Sequence, residues 1–75
     1  VEYKETAINI GLRIQTLRQE KNLSQLDLAS LCNIERSNLS RIEAGKTNLT
    51  LRSMISICKA LDISLAELLN TTDKK

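Results

Sequence analysis

The chain has 75 residues, a net charge of +2, 41% apolar residues and 27% charged ones. That length makes one domain, expected over 1–75 with an ordered core of about 7–70. Such a domain buries only about 60% of the surface its unfolded chain exposes, which leaves little room for an enclosed active site beside a core. The balance of apolar and charged residues excludes a disordered chain. No apolar run approaches the ~20 residues of a membrane span, and no basic head with an apolar stretch marks a signal peptide. With one Tyr and no Phe or Trp, the core must be aliphatic.

The first residues, Val1 to Glu5, are polar and expected to fray. The chain opens on Val1 rather than Met, which suggests processing or trimming. A first helix is expected from Thr6 or Ala7 to Lys21, because Ile10, Ile14 and Leu17 recur at the helical period. Asn22, at ease in the left-handed conformation, ends it. Ser24 opens a second helix, with Asp27 placed to return its capping hydrogen bond. Leu28, Ala29 and Cys32 point inward. Asn33 supplies the positive φ of a sharp turn, and Ile34 anchors that turn in the core.

A third helix is expected from Glu35 to Ala44, stopped by Gly45. Leu39 and Ile42 face inward, whereas Arg36, Ser37, Asn38, Ser40 and Arg41 face outward. After a loop over 46–49, Thr50 caps a fourth helix with Leu51, Met54, Ile57, Cys58 and Leu61 on its apolar side. Ser64 and Glu67 form a second capping box, which opens a fifth helix carrying Leu65, Leu68 and Leu69. Beyond Asn70 the chain is polar and expected to be loose. Leu12, Leu26 and Leu31 fall on outward faces. No Pro and no alternating apolar–polar run leaves room for a sheet, so the fold class is all-α with five helices.

The inventory of reactive groups argues against an enzyme. There is no His for general-base work near neutral pH and no Gly-rich phosphate loop. Neither Cys32 nor Cys58 has a His to activate it. Without His or a CxxC spacing a zinc site is not expected, and no metal or cofactor is implied. Both cysteines occupy apolar helix positions and read as reduced core residues of a cytoplasmic protein.

Double-stranded DNA fits the remaining chemistry. Between Arg36 and Lys59 there are five basic residues (Arg36, Arg41, Lys46, Arg52, Lys59) and one acid, Glu43. An α-helix enters a major groove about 12 Å wide, where Arg pairs with guanine and Asn with adenine. The N-terminus of the second helix favours a phosphate, and Gln25 stands there to add a side-chain bond. Single-stranded nucleic acid, bound by stacking on aromatic rings, fits poorly.

The stretches Leu17-Arg18, Leu23-Ser24-Gln25, Leu28-Ala29, Ile34 and Arg41-Ile42-Glu43-Ala44-Gly45-Lys46 together resemble the lambda-repressor-like, or Xre-type, helix-turn-helix family. The resemblance covers about Ile10 to Leu69. It implies a compact bundle of five helices whose second and third bind DNA. By position it implies that Gln25 binds a phosphate and that Arg36, Ser37 and Asn38 meet base edges, with Arg41 one turn further on. Lys46 is implied as a backbone contact, and Ser40 is assigned to the backbone beside it. Arg18 and Glu43 match an internal ion pair that would join the first helix to the third. Ala44 departs from the family, which often carries a phosphate-holding Asn there; Asn33 stands where Gly is usual.

Two functions follow as expectations. The first is a sequence-specific transcriptional regulator, cytoplasmic and nucleoid-associated in a bacterium or phage. It would bind a palindromic operator as a homodimer through Ile63, Leu65 and Leu69. The alternative is a protein-interaction module of the same fold, an antitoxin or coactivator-like adaptor with a protein partner. The short length leaves no room for a ligand-sensing domain, so regulation would come from concentration, dimerisation or a partner. The loop from Lys46 to Leu51 is similar to that of restriction–modification controllers.

Overall fold

The structure, a computed structural model, describes residues 2–70. Val1 and the polar end after Asn70 lie outside the described residues. Five helices follow one another: α1 (Tyr3–Glu20), α2 (Gln25–Cys32), α3 (Arg36–Glu43), α4 (Leu51–Leu61) and α5 (Leu65–Leu69). Among the described residues there is no strand, and no helix is long and apolar enough to cross a membrane.

Local chemistry sets most of the boundaries. Ser24 and Ser64 each accept a hydrogen bond from the backbone N–H three residues on, and Asp27 and Glu67 return the bond to the cap's own N–H. Thr50 caps α4 through the Ser53 N–H. α1 starts earlier than expected, at Tyr3 rather than Thr6 or Ala7. The Glu2 carboxylate takes the Glu5 N–H at 2.7 Å, so the segment expected to fray forms a helical turn. Glu is not among the preferred caps, which is why the start is hard to read from sequence.

Four helices end alike. Asn22, Asn33, Gly45 and Asp62 all sit at positive φ, between 58° and 72°. In each case that residue's N–H and the next one's turn back to carbonyls in the last turn, as for Asn22 to Gln19 and Leu23 to Arg18. This is the Schellman arrangement, whose following residue usually makes an apolar contact. Leu23, Ile34 and Ile63 do so, packing against the core. After α3 the corresponding residue is Lys46, which is exposed.

The core is aliphatic, built on Ile14, Leu28, Leu39, Ile57, Leu61 and Leu68, with the two free cysteines Cys32 and Cys58 buried at its edge. α1 packs on α3, α4 and α5, while α2 packs on α3 and α4. Leu51, expected on the apolar side of α4, is exposed, because it opens the helix one turn short of the core. Leu12, Leu26 and Leu31 are exposed as well.

Candidate nucleic-acid interface

α2 and α3 form a helix-turn-helix. α2 ends where Asn33 adopts φ 58, ψ 44, a conformation that Asn tolerates better than most side chains. The Ile34 N–H returns to the Ala29 carbonyl at 3.0 Å, and Ile34 packs on the core. The chain thereby reverses within three residues, and α3 is set across α2.

α3 has two unlike faces. Leu39, Ile42 and Glu43 are buried, whereas Arg36, Ser37 and Arg41 are exposed and Asn38 and Ser40 half-buried. Asn38 and Arg41 line one surface depression with Asn33, Ile34 and Glu35. α3 alone among the five helices lacks a side-chain cap, since Glu35 makes no capping hydrogen bond. Its first N–H groups and the positive end of its dipole remain open to an anion.

Behind this face lies a chain of polar contacts. Arg18 donates from Nε to Glu43 Oε2 at 2.7 Å and from Nη2 to Oε1 at 3.2 Å, and both residues are buried. Its Nη1 donates to the Leu23 carbonyl at 2.7 Å. The pair therefore ties α1 to the end of α3 and to the segment entering α2. Gln25 Nε2 donates to Glu43 Oε1 at 3.0 Å, and Arg36 Nη1 reaches Gln25 Oε1 at 3.4 Å. Gln25 is thus half-buried and linked inward, rather than free at the helix start. Neither of these two contacts is legible in the sequence, since they join residues 18 and 11 positions apart.

Lys46 lies beyond α3, its backbone N–H bonded to the Arg41 carbonyl at 2.9 Å and its side chain exposed. A groove of about 700 Å³ runs beside it between the first turn of α1 and the loop, lined by Tyr3, Lys4, Gly45 and Asn48 among others. The Tyr3 hydroxyl donates to Asn48 Oδ1. Tyr3, in the segment expected to fray, is therefore part of the helix and fastened to the loop. A second groove, between Leu12, Gln15, Gln25, Ser40 and Ala44, brings two residues of α1 beside Gln25 and Ser40. At α5 and the turn before it, Ile63 and Leu65 are half-buried against the core, and Leu69 is 44% exposed.

The comparisons with known proteins agree with this geometry. The profile of the family described as "Helix-turn-helix" matches residues 14–68. The control protein C.MunI of Mycoplasma sp. is 36% identical over 69 residues, which covers 91% of this chain and 93% of that protein. The control protein C.BamHI of Bacillus amyloliquefaciens is 36% identical over 63 residues, covering 83% and 78%. The crystal structure of the restriction–modification controller protein C.AhdI from Aeromonas hydrophila superposes with a TM-score of 0.81 at 37% identity, over 83% of this chain and 94% of that one. The chain belongs to the helix-turn-helix family and is a DNA-binding transcriptional regulator of the lambda-repressor-like type.

Proposed function

We propose that the protein binds a palindromic operator as a homodimer and regulates transcription from it; the similarity to proteins named as control proteins and as a restriction–modification controller supports this reading. α3 enters the major groove. Arg36, Ser37, Asn38 and Arg41 meet base edges, and Gln25, Ser40 and Lys46 hold the sugar–phosphate backbone on either side. Two copies then place their third helices in successive grooves about 34 Å apart. The dimer surface is built on α5, with the exposed Leu69 and the half-buried Ile63 and Leu65. The cytoplasm, where the operator is accessible, is the site of action.

The observation that carries this reading is α3 itself: one face buried, the other exposing arginines, and an N-terminus without a side-chain cap. Selection of duplexes from random DNA by the purified chain tests it. A consensus with twofold symmetry is expected. Affinity should fall with salt at a log–log slope of about −0.9 per phosphate contact. Neutralising Arg36 and Arg41 should abolish the preference. If no sequence is enriched and the slope is flat, while a stable protein partner binds regardless of those arginines, the adaptor reading replaces this one.

A further inference from the structure

The contacts behind the reading helix follow an alternation of donors and acceptors. Glu43, as a carboxylate, offers only acceptors, and Arg36 offers only donors. Gln25 lies between them with its Nε2 toward Glu43 Oε1 and its Oε1 toward Arg36 Nη1. The reverse orientation of that amide would set its oxygen against a carboxylate and its NH2 group against a guanidinium. The orientation of Gln25 is therefore fixed by the charges on both sides. Glu43 is itself fixed, because Arg18 holds both of its oxygens in a buried setting. The only exposed member of the series is Arg36, at the first position of α3.

We propose that Glu43, beyond pairing with Arg18, is a positioning residue for base recognition: acting through the Gln25 amide, it sets the direction of the Arg36 guanidinium before DNA is met. This rests on the reading of α3 as the base-contacting helix. An arginine already held at one azimuth loses less freedom when it docks. Removing Glu43's acceptor releases the amide to rotate and Arg36 with it. The loss then falls on discrimination at the base pair that Arg36 faces, not evenly on all DNA.

The test compares the wild type, Glu43→Leu, Arg36→Ala and the double variant. Affinity is measured for the selected operator, for duplexes changed at one base pair at a time, and for random duplex. Glu43→Leu removes every acceptor that faces Gln25 and should lower discrimination at one base pair by about fivefold or more, on the scale of a single good side-chain contact. In the Arg36→Ala background it should cost no further discrimination. Equal loss on all duplexes in both backgrounds would overturn the proposal and leave Glu43 with a purely structural role. If Glu43→Leu does not fold, Glu43→Asp keeps the charge beside Arg18 while withdrawing the carboxylate from Gln25, and the same outcomes apply. Side-chain NMR of the free protein gives a readout that needs no DNA. The Arg36 Nε–H order should fall in either variant, and unchanged order would overturn the link even if the wild type recognises no operator.

Discussion

Gly11 of α1 meets the main chain of α3 with no side chain between them. A Cβ built on it would stand 2.5 Å from the Glu43 carbonyl oxygen and 2.6 Å from that of Ile42. Neither oxygen belongs to a side chain that can swing away, so the two helices would have to separate. Overpacking against side chains costs about 1–3 kcal/mol, and a main-chain obstacle belongs at or above the top of that range. Gly11→Ala should therefore lower the melting temperature by at least ~10 °C, given about 4–8 °C per kcal/mol in a domain of this size. Thermal unfolding followed by circular dichroism checks this. An unchanged melting temperature would mean that the close approach is not maintained in solution.

The buried ion pair predicts an asymmetric response to mutation. Arg18→Met leaves Glu43 charged, buried and held only by Gln25, which should cost about 3–5 kcal/mol. Arg18→Met combined with Glu43→Leu removes both charges and should be less destabilising than Arg18→Met alone. Urea unfolding of the two variants measures the difference. The opposite order would show that Glu43 carries no net penalty when it is left without Arg18.

The α2 cap predicts a titration. The Ser24 backbone N–H, and then its hydroxyl, hold the Asp27 carboxyl below the usual carboxylate range. A group whose folded value is depressed stabilises the fold above its unfolded value, about 3.9. That contribution is lost as pH falls through the folded value. Carboxyl NMR should find Asp27 titrating below the ordinary range in the wild type. In Ser24→Ala it should move upward, and the stability should fall by about 0.5–2 kcal/mol, the usual loss on removing a cap.

The thiols predict a protection experiment. Burial pushes both Cys32 and Cys58 upward, and the nearby charge of Glu67 adds to the effect at Cys58. The Cys58 thiol also points at the Ser64 carbonyl, 3.7 Å away. Because the thiolate is the reactive form, alkylation near pH 8 should be slow in the native protein and fast in denaturant. The raised values carry the matching linkage. The neutral thiols support the fold at all pH values below the unfolded thiol range, and that support is lost as pH rises through the folded values. Rapid labelling of both cysteines in the folded chain would contradict their placement.

What could be read in the sequence was what is local. The Ser24–Asp27 and Ser64–Glu67 boxes close over three residues, so their chemistry is visible without a fold. The same holds for Asn22, Asn33 and Gly45, since positive φ is a property of a residue and its turn. Arg18 and Glu43, 25 positions apart, were legible only through a family resemblance. Gln25 was legible as a helix-start residue but not as Glu43's partner, because that contact exists only after α2 and α3 have crossed. Tyr3 falls in the segment expected to fray for the same reason: its partner, Asn48, is 45 positions away. At Leu51 the helical period runs one turn beyond the core that the other apolar residues of α4 serve.

Lys46 stands where three equivalent turns place Leu23, Ile34 and Ile63 into the core. A chain optimised for folding alone would repeat that apolar residue a fourth time. Lys46→Leu should therefore raise the melting temperature while flattening the salt dependence of DNA binding by the ~0.9 slope of one contact. If Lys46 is the backbone contact proposed for it, durability and recognition are opposed at this position, as they often are where a protein meets its ligand. Stability screening without a DNA readout would then select against that contact.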